Sequence, residues 1–154
     1  MPKRSAGVLL FRRSGSQFEV LLVHPGGPLW KNKDDGAWSI PKGEYGEGED
    51  PLAAAKREFT EETGFVAHGE FIPLGEIRQS GGKLVTAWAV EGSFEAERMK
   101  SNTFYMRWPP GSATLKEFPE IDRADWFALD IARRKILKGQ TGFLDRLAPR
   151  LHSS

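Results

Sequence analysis

Glu58, Glu61 and Glu62 stand almost side by side, and on a helix they fall within about 100° of arc on one face. Glu58 and Glu62 form a like-charge pair at i, i+4, which costs about 0.2–0.5 kcal/mol. A third acid adds to the repulsion, and the C-terminal end of a helix disfavours anions further. Arg57 can pair with Glu61 at i+4, but that relieves only part of it. A divalent cation would relieve the rest, and hard carboxylate oxygens suit Mg²⁺ or Mn²⁺. Taken alone, three glutamates read more readily as a solvated acidic face than as a metal site.

The element carrying them has clear ends. Asp50 can cap the free amides, Pro51 loses no hydrogen bond at the first helical position, and Gly64 supplies a left-handed exit. The spacing predicts a helix from 51 to about 63, with Leu52, Ala55 and Phe59 as its buried stripe. Residues 5–12 and 17–24 read as a strand pair around a turn at 13–16. After the break at Pro25-Gly26-Gly27-Pro28, residues 37–40 read as a short strand ended by Pro41. Residues 71–79 and 83–91 read as strands around Ser80-Gly81-Gly82, and 121–127 as another strand. Residues 130–137 read as a helix, and Phe143, Leu144, Leu147 and Leu151 give the last segment an apolar helical face. Strands on both sides of one helix, with helices near the end, predict an α+β fold with a mixed sheet covered by helices.

Composition bounds the answer. At 154 residues, the chain has the size of one ordinary domain, taken as 1–154. With 28% charged and 39% hydrophobic residues it reads as globular, and no apolar run approaches the roughly 18 residues of a membrane span. Met1-Pro2-Lys3-Arg4 runs straight into a strand-like stretch, so no secretory signal is expected and the cytoplasm is the expected location. The absence of cysteine excludes disulfides, thiolate zinc sites and a cysteine nucleophile. His24, His68 and His152 have no metal-ligand spacing. A net charge of +1 gives no reason to expect nucleic acid as a partner. Residues 42–65 carry −4, which leaves +5 on the remainder.

The spacing around the glutamates is far more specific than the glutamates themselves. Gly43 is followed by five residues, Glu49, seven more, and then Arg57-Glu58-Phe59-Thr60-Glu61-Glu62-Thr63-Gly64-Phe65. This resembles the Nudix box, Gly-x5-Glu-x7-Arg-Glu-U-x-Glu-Glu-x-Gly-U with U apolar, and all nine specified positions match. The resemblance to Nudix hydrolases implies an α/β/α sandwich, a loop-helix-loop that holds divalent metal, and hydrolysis of a nucleoside diphosphate linked to another moiety. By position it implies Glu58, Glu62 and the Gly43 carbonyl as metal ligands. Glu61 would be a ligand or a helper of the base. Arg57 would orient a carboxylate, and Glu49 would support that network. The chemistry agrees: divalent ions neutralise an anionic pyrophosphate and activate water, while a nearby carboxylate takes the proton.

Other signals are weaker. Trp38-Ser39-Ile40-Pro41-Lys42-Gly43 resembles the family's lead into the box, which makes Lys42 a candidate phosphate contact. Lys83 and Tyr45 are further substrate-binding candidates. Many members place a carboxylate a few residues before a Trp-apolar pair. Glu120, six before Trp126, fits as an extra ligand or base, with Glu117 and Asp122 as competitors. Trp30, Tyr45, Phe104, Tyr105 and Trp108 lie in loop-like stretches; one or two are candidates to stack a nucleobase, although packing is the commoner role. Arg133-Arg134-Lys135 with Lys138, Arg146 and Arg150 reads as a solvated basic helix face. Gly48-Glu49-Asp50-Pro51-Leu52 and the Glu120-to-Trp126 spacing most resemble the diadenosine tetraphosphate hydrolase branch. Clearance of modified nucleoside triphosphates is the competing enzymatic reading. A non-catalytic nucleotide sensor is the third, but sensors usually lose box carboxylates and none is lost here. Monomer and homodimer both remain open.

Overall fold

In the computed structural model, which describes residues 3–152, β1 (Arg4–Ser14) and β2 (Gln17–Pro25) form a hairpin on the two-residue turn Gly15-Ser16. Met1 and Pro2 of the expected leaderless start lie outside the described residues, as does the side chain of His152. Seven consecutive residues of β1, Ser5 to Phe11, are buried, so the strand is covered on both faces. It pairs in parallel with β5 (Leu84–Glu91), which pairs antiparallel with β4 (Ile72–Arg78). β2 pairs antiparallel with β8 (Ile121–Ala128), giving the order β4-β5-β1-β2-β8.

β1 and β2 pair only near their turn and then diverge. Residues 38–44 fill the gap. Ser39 bridges Val23, the Val8 amide donates to Pro41 O at 3.1 Å, and β3 (Lys42–Glu44) pairs with Ser5, Ala6 and Gly7 of β1. The strand therefore lies after Pro41 rather than before it, and the expected strand at 37–40 is only a pair of isolated bridges at Trp38 and Ser39. A proline cannot donate to the ladder, but its carbonyl still accepts, so pairing passes through Pro41. Gly7 makes this wedge possible, since a Cβ there would stand 2.6 Å from Pro41 O.

The helix α1 (Pro51–Thr63) has the expected ends: the Asp50 side chain accepts from the Ala53 amide, and Gly64 (φ 79°) donates to Thr60 O at 2.7 Å. Ala54, Ala55 and Phe59 bury against Val8, Leu10, Leu21 and Val23 on one face of the sheet. On the opposite face α2 (Leu129–Lys135) and α3 (Thr141–His152) bury Ala132, Phe143, Leu144 and Leu147 against Leu9, Phe11, Val20 and Leu22. This is the α/β/α sandwich with a mixed sheet. No helix among the described residues is long and apolar enough to cross a membrane.

Some elements were not foreseen. β6 (Thr103–Arg107) and β7 (Leu115–Pro119) form a separate antiparallel pair, and Trp108-Pro109-Pro110-Gly111-Ser112 belongs to the stretch connecting them. Phe104 and Tyr105 are thus strand residues, not loop residues. The expected basic face is also more than solvated surface. Lys135 reaches Asp34 at 2.6 Å and Asp35 at 3.0 Å, tying α2 to the loop after β2, and Arg133 pairs with Asp145 of α3.

Candidate active site

The box glutamates converge because three separate pieces of backbone meet at the C-terminal half of α1. β3 runs beside it, so the Lys42 amide donates to Glu62 Oε1 at 3.0 Å. Gly43 sits directly against Glu58: a Cβ on Gly43 would lie 1.9 Å from Glu58 Oε2. The third piece is a relay of backbone hydrogen bonds. Asn102 N donates to Glu61 O at 3.0 Å, Glu120 N donates to Asn102 O at 2.8 Å, and Gly26 N donates to Glu120 O at 2.8 Å. The relay fixes Glu120 against the helix end and uses a carbonyl that α1 would otherwise leave unpaired.

Arg57 gathers the rest. Its guanidinium donates to Glu58 at 2.7 Å and to Glu61 at 3.3 Å through one nitrogen, and to Glu49 through the other two. Burial works against the charge on Arg57, but its bonds to Glu49, Glu58 and Glu61 outweigh that and raise its pKa. Of the competitors of Glu120, Glu117 accepts from Thr103 Oγ1 at 2.6 Å and Asp122 meets His24 Nδ1 at 2.7 Å. Both are engaged elsewhere, whereas the charge of Glu120 is felt at Glu58 and Glu62. Glu62 and Glu120 line one cavity of about 220 Å³ with Lys42, Trp30, Ser39 and Ile121.

Three candidates line other parts of the surface. Tyr45 and Glu49 line a different and larger depression, about 540 Å³, on the box loop with Lys3, Arg4 and Glu47. Tyr45 is therefore not among the residues lining the Glu62–Glu120 cavity. Lys83, half-buried just before β5, does not line that cavity either, but it is close enough to Lys42 for the two charges to interact. The Asn102 anchor was not foreseen. Its contribution is backbone pairing between distant segments, which no local motif announces.

The electrostatics show a site rich in negative charge. Burial pushes the Glu62 carboxyl up to about 8, with Glu120 and Glu58 adding to the rise against the opposing Lys42 amide and ammonium. Burial raises Glu58, partly offset by Arg57 and reinforced by Glu61; burial and then Glu61 raise Glu120. Lys42 is lowered, first by burial. Among the described residues no three Asp, Glu or His side chains converge closely enough to enclose an ion as they stand. Arg57 and the Lys42 amide hold the oxygens that would face one. The donor set nevertheless suits a hard divalent cation: Glu58 lies directly against Gly43, which bears no side chain, and Glu58, Glu61, Glu62 and Glu120 are near enough for their charges to oppose one another.

A pH dependence follows for the protein kept in chelator. Glu62 in the fold binds a proton that the unfolded chain has already released, because its folded value, about 8, exceeds the ordinary carboxylate value. The stability this brings is full below the unfolded value and is lost as pH rises through about 8. Lys42, lowered in the fold, opposes it in part. A loss of stability is therefore expected between about pH 6 and pH 9, smaller than the roughly 2–3 kcal/mol that Glu62 alone would give over that range. Calorimetry at both pH values checks this, and Glu62→Gln should flatten the difference.

A family model for the NUDIX domain matches residues 1–147. A Caenorhabditis elegans Ap4A hydrolase solved as a binary complex superposes with a TM-score of 0.67 at 20% identity, over 97% of this chain and 99% of that one. The NUDIX domain of Shewanella oneidensis NrtR, solved with ADP ribose, gives 0.67 at 17% identity, over 98% and 89%. RenU, a Nudix hydrolase from Mycobacterium smegmatis, gives 0.60 at 22% identity, over 97% and 85%. These likenesses carry the fold, and the family match carries the class. The chain belongs to the NUDIX family: it is a Nudix hydrolase, a pyrophosphohydrolase acting on phosphoric anhydrides.

Proposed function

We propose that this hydrolase is Mg²⁺-dependent and cleaves the pyrophosphate bond of a nucleoside diphosphate linked to another group, with dinucleoside polyphosphates as its preferred substrates. The observation that carries the reading is the placing of Glu58 against Gly43, with Arg57 bridging Glu58 and Glu61, next to a cavity that Glu62, Glu120 and Lys42 line. When bound, a divalent ion would neutralise phosphate oxygens and lower the pKa of the attacking water. Glu58, Glu61, Glu62 and the Gly43 carbonyl would hold it. Arg57 and Glu49 keep the carboxylates in place. Lys42 and Lys83 add positive charge for phosphate oxygens. Glu120 is the proton acceptor in this reading, since it faces the cluster without an ion-pair partner of its own among the described contacts. The neighbours solved with ADP ribose and as an Ap4A hydrolase fit a two-part nucleotide substrate.

The test is a product-resolved assay with Mg²⁺ on diadenosine tetraphosphate, ATP, GTP, an oxidised guanine nucleotide, ADP-ribose and a sugar nucleotide. Conversion of the tetraphosphate to ATP plus AMP, faster than any simple triphosphate is cleaved, is the expected result. Faster cleavage of triphosphates would move the assignment to nucleotide clearance. Binding without turnover on every substrate would favour a sensor. In the same assay Glu120→Gln is expected to lower turnover by about 10²–10⁴-fold, the usual worth of a general base. Its melting temperature should stay within a few degrees of wild type. Unchanged turnover would remove Glu120 from the reaction.

A further inference from the structure

His24 is only 3% exposed and lines neither the carboxylate cavity nor the depression on the box loop. Both of its ring nitrogens are engaged. Nδ1 lies 2.7 Å from Asp122 Oδ1, and Nε2 lies 2.6 Å from the carbonyl oxygen of Lys33. A carboxylate and a carbonyl only accept, so each contact needs a hydrogen on the ring side. A neutral imidazole carries one N–H, and its bare nitrogen would face the second oxygen lone pair to lone pair. The two bonds exist together only when both nitrogens carry hydrogen. A proton shared with Asp122 rests on the imidazole, the stronger base of the two. Other charged groups near the ring are turned elsewhere. Trp38 meets it edge-on, Arg123 and Lys33 lie over the rings of Trp38 and Trp30, and Asp34 accepts from Trp38 Nε1 and from Lys135.

The place of this pair in the sheet gives it a consequence. β2 and β8 pair in register as far as His24 and Arg123, and then Pro25 pairs with Ile121, so Asp122 is an extra residue in β8. Core packing shows the same step. Ala124 and Ile121 both pack on the α1 face although they are three apart, where strand alternation would bring Asp122. Asp122 turns its carboxylate onto His24 instead. Immediately before Ile121, Glu120 lines the carboxylate cavity. Regular pairing would put Asp122 in the place of Ile121 and shift Glu120 by one residue.

We propose that His24 stands in the fold as an imidazolium ion that clasps the extra residue of β8, and that it is a positioning residue for Glu120. Its second bond, to Lys33 O, ties the loop after β2 to the same point. Charge-assisted bonds to two acceptors offset the burial of the ion, and loss of either partner leaves it short of one. The effect on turnover, though not the clasp, rests on Glu120 being the proton acceptor.

Nitrogen-15 NMR of the full chain at neutral pH reads the ring directly. Two protonated nitrogens of nearly equal shift are expected for His24, and one protonated beside one bare nitrogen would overturn the proposal. His24→Gln can donate to one acceptor but turns its oxygen on the other. Asp122→Ala removes one arm at a residue exposed enough for the fold to tolerate the change. Each should lower kcat by about 10–10²-fold with KM little changed, the effect of a misplaced group. In a Glu120→Gln background neither should lower it further by more than about twofold, because the loss passes through Glu120. A loss repeated in full in that background, or an unchanged kcat in both variants, would overturn the positioning role. Hydrogen exchange at the Glu120 amide, which donates to Asn102 O, is a readout free of turnover. It should be faster in both variants than in wild type, and unchanged exchange would count against the clasp. If Glu120→Gln alone turns over like wild type, the proton-acceptor reading fails, and the ring spectrum and the exchange decide the clasp by themselves.

Discussion

Glu62→Gln should lower turnover by about 10³-fold, or about 4 kcal/mol of barrier, while the melting temperature in chelator at pH 8 holds or rises. The two halves of that expectation come from one geometry. Glu62 is held by the Lys42 amide through Oε1, and the amide oxygen of Gln can accept the same bond. What the substitution removes is a charge that burial, Glu120 and Glu58 all disfavour. In the metal-free protein that charge is a liability, and its removal relieves Glu58 and Glu120; the cost is one attractive partner lost to Lys42. With substrate and Mg²⁺ present, the same charge is what attracts and holds the cation. A neutral amide is a far weaker donor to a hard dication. Hydrolysis assays and calorimetry on one preparation separate the effects. Turnover within tenfold of wild type would show that Glu62 is not among the metal ligands, and a large drop in melting temperature would show that it is structural.

The parts of this site that were legible in the sequence are those whose physics is local. Asp50, Pro51 and Gly64 determine the ends of α1 by bonds made within a few residues, and helical periodicity alone puts Glu58, Glu61 and Glu62 together. The box spacing brought in Gly43 and Arg57, and the structure puts both against Glu58. What could not be read is pairing between distant segments. β3 follows Pro41 because β1 and β2 diverge and leave a gap for it, a property of three strands at once. β6 and β7 are short and mostly exposed, so their alternation is faint, and they gain their meaning only from the loop they press upon. Glu120 could be named from its distance to Trp126, but Glu117 and Asp122 lie within a few residues of it and compete for the same role. Their partners Thr103 and His24, distant along the chain, separate the three. Tyr45, picked out as an aromatic in a loop-like stretch, lines the depression on the box loop rather than the Glu62–Glu120 cavity, a placement that depends on how the loop folds back.

Gly43→Ala is expected to be nearly as damaging to catalysis as the loss of a glutamate, by about 10²–10³-fold, although it adds one methyl group and no backbone strain. Gly43 sits in β3 with ordinary extended pairing to Ala6, so alanine suits its backbone. The difficulty is space. The new Cβ would fall 1.9 Å from Glu58 Oε2, 2.1 Å from its Cδ and 2.6 Å from Oε1, where non-bonded carbons cannot approach. The obstacle is the far end of a flexible side chain, so the fold can yield by swinging Glu58 out. That movement breaks its 2.7 Å bond to Arg57 and takes its carboxylate away from Glu61, Glu62 and Glu120. Stability should thus fall by only about 1 kcal/mol, the scale of one exposed charge-assisted hydrogen bond, while the carboxylate cluster loses a member. Gly46→Ala, three residues on in the box loop, is the matched control: a Cβ there meets nothing within 4 Å, and the backbone is not in the left-handed region. Turnover, Mg²⁺ affinity and melting temperature measured on both variants decide the matter. If Gly43→Ala turns over as fast as Gly46→Ala, the contact between Gly43 and Glu58 does not set the position of the carboxylate. If instead it unfolds, Glu58 is held too firmly to move, and the box glycine is a packing residue first.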